Sequence, residues 1–360
     1  MEDFINVLAL GKEQHEWMLS LKALKVQADI SAEKDEKKVS SKQQWFTQWL
    51  NKERSAFMEH FSVDNCTIAH TPYELHQRSA ELLDESANIK TWYYLSVMEA
   101  ELFEPYGPLY GEEEKEKNKP FKGLKFHNDS FIKQFVTMDA RIPETFVDRV
   151  RKTYKDAISR MEGRVAKITI GALSAVAISA AAAATAGALA PSIAVALVGG
   201  QFVGAHGAAL TAASLAFLGG GSIAAGGAGM AGGVATIVGG GALLGLAVGG
   251  TASATVTGIV LASPKLTLTT AAKLEVTIRE VLLNAQRDTA TAQQVLSSYK
   301  EELKRLKHLM VDLEAEDKNN KEQIKALKTS IAYLSRSTQS LDRFVSSFEI
   351  GMDAERGAGQ

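Results

Sequence analysis

Regularly spaced glycines are the residues whose types and spacing point most directly to a function. Gly241, Gly245 and Gly249 follow one another at intervals of four residues, and the same interval separates Gly229 from Gly233. Because four residues is just over one helical turn, such glycines form a flat strip along a helix. In lipid, a strip of this kind lets two helix backbones approach closely. The triplet therefore predicts helix packing inside a membrane, although some glycine pairs fall four apart by chance.

A second candidate site is the basic end of a helix predicted over 143–167. Arg160, Arg164 and Lys167 lie on its polar side, immediately before a long apolar segment. Each Lys or Arg near an anionic leaflet contributes about 1 kcal/mol to membrane binding. These residues predict anchoring at a membrane surface, and a solvated helix face is the alternative interpretation.

No pattern typical of catalysis, metal binding or cofactor binding is present. The GxGxxG match over 227–232 follows no predicted strand and lacks the acidic residue of a dinucleotide site. One cysteine, Cys66, excludes an intramolecular disulfide framework. His206 is the only titratable side chain of the apolar segment, where it either senses acidification or lies near a turn at the interface. We therefore expect neither an enzyme nor a cofactor.

The charges of the chain are concentrated outside one long segment. The chain has 360 residues, of which 40 are basic and 42 acidic, and this near-neutral balance gives no electrostatic indication of nucleic-acid binding. No Asp, Glu, Lys or Arg occurs over 168–264, a run of 97 residues that contains 29 Ala and 21 Gly. The sequence thus consists of two polar arms around an apolar insert.

The apolar insert is long enough to cross a bilayer several times. Its first 23 residues, 168–190, suffice to cross a hydrocarbon core of about 30 Å as a helix. Pro191 then interrupts the run, and the remainder allows two or three further crossings. We predict three to four membrane-length helices, and an even number would leave both arms on the same side.

The spacing of apolar residues in the arms indicates an all-α protein. Residues 1–142 predict a helical arm, with a helix over 41–61, another over about 72–103 and a charged surface loop over 110–125. Over 143–167 the apolar residues follow one helical face. A four-three alternation over 265–350 predicts a long antiparallel coiled-coil hairpin, with a first limb of about 65 Å if it is continuous over 271–314. Residues 351–360 predict a flexible tail.

This layout resembles the α-pore-forming toxins of the cytolysin A and haemolysin BL kind. The resemblance lies in the order of helix 143–167, insert 168–264 and hairpin 268–348, and it includes no family-specific motif. It implies an elongated helical bundle that covers the insert in a soluble form. It also implies insertion into a lipid bilayer, assembly into a homo-oligomer, cytolysis and companion toxin components. An insert of 97 residues is longer than the single hairpin usual in that family.

Two functions agree with these patterns. Segments rich in Ala and Gly are only weakly apolar, which favours a pore-forming or membrane-disrupting protein that converts from a soluble form to an oligomer in lipid. The alternative is a resident polytopic membrane protein whose coiled coil recruits partners as a scaffold. The N-terminus lacks the basic and small-residue pattern of a Sec signal peptide, so synthesis in the cytoplasm is expected, followed by retention or export and a final membrane location.

Overall fold

The computed structural model describes residues 10, 12–61, 63–85, 90–110, 112–163, 264–316 and 321–358. All regular secondary structure in these ranges is helical, which confirms the all-α class. The apolar insert, with its predicted membrane-length helices, lies outside the described residues apart from Pro264. Among the helices that are described, none combines the length and the apolar character that a membrane span needs.

Two arms of helices flank the apolar insert in the order of the chain. A 3₁₀ segment, Glu112–Phe121, separates two helices of the first arm, and a π-helical segment, Thr277–Ala285, continues the first helix of the second arm. The α-helices are α1 (Lys12–Ala32), α2 (Glu36–Phe61), α3 (Pro72–Glu85), α4 (Thr91–Leu102), α5 (Phe131–Asp139), α6 (Thr145–Glu162), α7 (Pro264–Val276), α8 (Thr289–Glu316) and α9 (Lys321–Ala358).

Helix α1 lies between two apolar cores. Trp17 and Leu21 belong to a large core that includes side chains of α3 to α9, whereas Val26 and Ile30 belong to a smaller one with α2 and residues 103–126. Because both faces of α1 are buried, its apolar residues do not follow a single stripe. Apolar spacing therefore does not predict this helix, although it occupies the centre of the first arm.

Helix α6 forms within the helix predicted over 143–167, but it ends five residues earlier than predicted. The predicted positions Phe146, Val150, Tyr154, Ile158 and Met161 are all buried. The helix ends at Glu162, and Gly163 follows with a positive φ of 70°. Because glycine adopts this backbone conformation without a Cβ penalty, it is suited to terminate the helix there.

Three local predictions for the arms are corrected by the structure. The helix predicted over 72–103 forms as two helices, because α3 ends at Glu85 and α4 begins at Thr91. The charged stretch over 110–125 is not simply a loop, because it contains the 3₁₀ segment and buries Phe121. The predicted tail is also corrected, since α9 remains helical to Ala358.

The first limb of the predicted hairpin is not continuous over 271–314. The π-helical segment ends at Ala285, Arg287 has a left-handed φ of 55°, and α8 begins at Thr289. The Asp288 carboxylate accepts a hydrogen bond of 2.9 Å from the Thr291 amide, so it caps the first turn of α8. The apolar spacing continues in phase across this break, and a polar residue at an expected core position, Asp288, was the signal that marked it.

Helix α9 pairs with its neighbours in opposite directions. Hydrogen bonds from Gln293 to Glu349 and from Lys300 to Asp342 place α8 antiparallel to α9. The hydroxyl of Thr267 contacts that of Ser330 at 3.1 Å, and Arg279 donates to the Ser340 hydroxyl at 2.7 Å, so α7 and its π-helical continuation run parallel to α9. The chain therefore reverses direction between Ala285 and Thr289. As a result, this arm consists of three helical segments, where a hairpin of two limbs was predicted.

Candidate functional site

Helix α6, which precedes the apolar insert, ends at the same end of the bundle at which α7, which follows the insert, begins. Helix α6 runs antiparallel to α7, because Arg149 pairs with Glu280 whereas Arg160, nearer the end of α6, pairs with Glu275. Arg336 of α9 donates to the Met161 carbonyl at the end of α6. Ser330, which contacts the start of α7, lies six residues earlier on α9, a separation of about 9 Å. We call this region, formed by the end of α6, the start of α7 and the facing part of α9, the junction.

Ion pairs hold α6 against α7 at the junction. The Arg149 guanidinium donates to Glu280 at 2.9 Å, and the Thr153 hydroxyl donates to the same carboxylate at 2.7 Å. Arg160 donates to Glu275, a residue with 0% exposure. Burial raises the pKa of Glu275, and the guanidinium groups of Arg160 and Arg279 oppose that rise. The two arginines thus supply the charge that keeps a buried carboxylate stable between the helices.

A second buried ion pair connects the junction helices to the first arm. Lys273 of α7 donates to Glu99 of α4 at 2.7 Å, and both side chains are at most 10% exposed. Burial acts to raise the pKa of Glu99, but Lys273 and then Lys22 of α1 outweigh it and hold the pKa below its ordinary value. The helix that resumes the chain after the insert is therefore fixed to the first arm through a desolvated charge pair.

Of the residues that the sequence predicts for membrane contact, the structure describes only Arg160. Its side chain is 41% exposed, and its guanidinium is engaged with Glu275 rather than free. The other predicted anchors, Arg164 and Lys167, lie outside the described residues, as do the packing glycines Gly229, Gly233, Gly241, Gly245 and Gly249. Both sets remain predictions.

Sequence reasoning did not identify the carboxylates of the junction. Glu275 and Glu280 lie on a segment whose apolar residues indicated coiled-coil packing, and neither carries a motif. Both carboxylates face α6, where Glu275 pairs with Arg160 and Glu280 pairs with Arg149. The excess of basic residues on α6 could have indicated these carboxylates, because buried or half-buried cations require acidic partners elsewhere in the chain.

The described residues do not reveal a metal centre. Within these ranges, no group of three or more His, Cys, Asp or Glu side chains is placed to hold a metal ion. Cys66 is buried, and burial together with the nearby charge of Glu16 raises the pKa of its thiol to about 11. At neutral pH this thiol stays protonated, which is typical of a structural cysteine.

The junction holds together two points of the chain, Gly163 and Pro264, that are separated by 100 residues in sequence. Its contacts are charged and partly exposed, so they depend on pH and on competing ions more than an apolar contact would. No family model, curated protein or solved structure matches this chain.

Proposed function

We propose that this chain is a membrane-inserting protein that forms pores or otherwise disrupts bilayers. The helical arms hold the apolar insert in a soluble form, and the insert enters lipid as helices that assemble between copies. One observation carries this proposal: a charge-free run of 97 residues leaves and rejoins the bundle at the same end. A run of this length and composition is compatible with a bilayer core, which excludes charged side chains at high cost.

The position of the chain ends supports insertion without reorganisation of the arms. Because α6 and α7 are antiparallel and adjacent, the insert needs an even number of crossings to return to its starting side. Four crossings, arranged as two hairpins, meet this requirement within 97 residues at about 20 residues each. Both arms then remain on one side of the membrane, with their buried cores intact.

The composition of the insert supports conversion from a soluble form. Alanine and glycine account for 50 of its 97 residues, and these contribute little to insertion compared with Leu, Ile or Phe. Such helices can be held against a protein surface in water and still gain from close packing in lipid. In this proposal α8 and α9 form an antiparallel coiled-coil hairpin beside the insert, and the oligomer is a ring of identical chains.

The experiment that tests the proposal combines solubility with vesicle leakage. The full chain is expressed without detergent, its mass is measured by sedimentation, and dye release from vesicles is followed on the same sample. A monomer that releases dye and sediments afterwards as a large oligomer is the expected result. Recovery only from the membrane fraction, without leakage after reconstitution, would favour the resident scaffold instead.

The predicted surface anchor can be tested with a variant that keeps Arg160 unchanged. Replacing Arg160 with Glu would place a second carboxylate beside buried Glu275, so we expect that change to disrupt the fold. The double variant Arg164→Glu and Lys167→Glu avoids this effect. It should weaken binding to phosphatidylserine vesicles by about tenfold or more, because each basic residue contributes about 1 kcal/mol.

Vesicle flotation measures that binding, and a double variant with the same charge change serves as its control. Lys304→Glu and Lys307→Glu alter two exposed side chains of α8. If both double variants lose vesicle binding to the same extent, the loss reflects net charge alone, and the anchor assignment is wrong.

A further inference from the structure

An arginine-lined cleft lies beside the junction, between α6, the π-helical segment and α9. Its volume is about 390 Å³. One face of α9 supplies Arg336, Ser340, Arg343 and Ser347, spaced by four, three and four residues, and this spacing aligns them along one side of a helix. Four guanidinium groups in total line the cleft, with Arg160 from α6 and Arg279 from the π-helical segment completing the set.

The positive charge of the cleft exceeds the negative charge that faces it. Glu275 is the carboxylate in direct contact, paired with Arg160 and lying 3.5 Å from Arg279. Glu280 and Asp156 act on Arg279 from a greater distance, and Glu280 is already paired with Arg149. Four cations against one contacting carboxylate leave an excess of about three positive charges, counting each ionised group as one.

Several guanidinium donors of the cleft have no protein acceptor. Each guanidinium carries five N–H groups in a planar fork. Arg343 is exposed and makes no ion pair within the described residues, and one N–H side of Arg336 is engaged with the Met161 carbonyl. The Arg279 Nε atom is buried and lacks a hydrogen-bond partner among the described residues. Free donors on clustered arginines are suited to an anion with several oxygens.

We propose that this cleft binds a phosphate monoester, carried either by a soluble molecule or by a lipid headgroup. A monoester has a charge of about −1.5 to −2 at neutral pH and three acceptor oxygens, which fits the excess charge and the forked donors. The cleft is larger than one phosphate group needs, so it leaves room for the attached sugar, glycerol or inositol. Ser340 supplies a hydroxyl on the same face. Phe344, whose ring centroid lies 4.4 Å from the Arg279 guanidinium carbon, supplies an apolar wall.

The site would link ligand binding to the junction through shared residues. Arg160 and Arg279 contact both the cleft and Glu275, so an anion in the cleft competes with that carboxylate for the same guanidinium groups. Binding of a phosphate monoester therefore alters the ion pair between α6 and α7. This inference does not require that the insert enters a membrane, since a soluble ligand can occupy the cleft.

The test separates the two sources of the phosphate. Inorganic phosphate and glycerol 3-phosphate are titrated into the full chain by calorimetry, without lipid. In a second arm, flotation compares phosphatidylcholine vesicles with vesicles that also contain phosphatidic acid. The variant Arg336→Gln with Arg343→Gln should weaken binding by about tenfold or more, because each lost charged hydrogen bond is worth at least about 1.5 kcal/mol.

Two further variants keep the result interpretable. Arg343→Gln alone removes an exposed side chain and should reduce affinity without affecting the fold. Lys307→Gln with Lys325→Gln removes the same number of charges from exposed positions outside the cleft and should leave binding unchanged.

Each outcome bears on the proposal. If the wild type binds the soluble probes and the cleft variants do not, the ligand is a soluble phosphate monoester. If the wild type binds only phosphatidic acid vesicles and the cleft variants do not, the ligand is a lipid headgroup. Absence of binding in both arms overturns the proposal, as does equal binding by the cleft variants and the wild type. Dye release is measured separately, so loss of the pore-forming function would not be mistaken for loss of the anion site.

Discussion

Replacement of Asp29 with alanine should lower the free energy of unfolding by about 3 kcal/mol or more. The carboxylate is 1% exposed and accepts hydrogen bonds from Lys42 at 2.7 Å and from the Tyr106 hydroxyl at 2.6 Å. Its other oxygen accepts from the backbone amides of His127, at 2.7 Å, and Asn128, at 3.2 Å. One side chain therefore fixes α1 to α2 and to two connecting segments.

The large effect follows from what the substitution leaves behind. Lys42 is also 1% exposed, and after the change it retains only Glu33, at 3.1 Å, as a carboxylate partner. A buried ammonium that loses a charged partner is costly, because no water replaces the lost hydrogen bond. Tyr106 has a left-handed φ of 68°, a conformation that the surrounding contacts must maintain.

Urea unfolding followed by circular dichroism measures this loss. Asp35→Ala is the matched control, since Asp35 is 48% exposed and its pairing with Lys38 spans 3.8 Å. The control also removes a cap from the start of α2, where Asp35 accepts from the Lys37 amide at 3.0 Å. We expect that variant to lose only about 1 kcal/mol. Equal losses in the two variants would contradict the central role assigned to Asp29.

Replacement of Gly245 with leucine should reduce dye release by about tenfold and leave the arms folded. Leucine at the centre of the glycine triplet would separate helix backbones that pack through Gly241, Gly245 and Gly249. A loss of roughly 1.4 kcal/mol in helix association corresponds to a tenfold change in its equilibrium constant. Leakage from vesicles measures the effect, and circular dichroism in solution verifies that the arms remain helical.

The control for this prediction lies two residues further along the same segment. Ala247→Leu adds a similar apolar volume but falls on another face of a helix, away from the glycine strip. It should release dye as the unaltered chain does. Undiminished leakage by Gly245→Leu would show that the triplet does not mediate packing, whatever the behaviour of the control.

Local patterns predicted those parts of the fold that depend on a single face. The apolar positions of α6 are buried as expected, and Gly163 ends that helix. Helix α1 escaped prediction because it is buried on two faces, so that its apolar residues have no simple period. The break before α8 was missed because apolar spacing continues through it. In the structure, the left-handed backbone at Arg287 and the capping contact of Asp288 mark the interruption.

The candidate site was predicted less completely than the fold. Basic residues at the end of α6 were recognisable, but the sequence indicated a membrane surface as their partner. In the structure, Arg160 contacts Glu275, 115 residues away, and lines a cleft with Arg336 and Arg343 of α9, and neither contact was predicted. Contacts over such distances depend on how helices pack, and spacing within one helix does not specify them.

The sequence by itself determined the all-α class, the buried face of α6 and the charge-free run of 97 residues, because composition and helical period are local properties. Only the tertiary structure decided that the run begins and ends at one end of the bundle. It also decided that the helix after the insert reverses at residues 286–288, and that four arginines from three segments converge. These features arise from desolvated ion pairs and packed apolar faces between distant segments, whose partners are selected when the helices assemble.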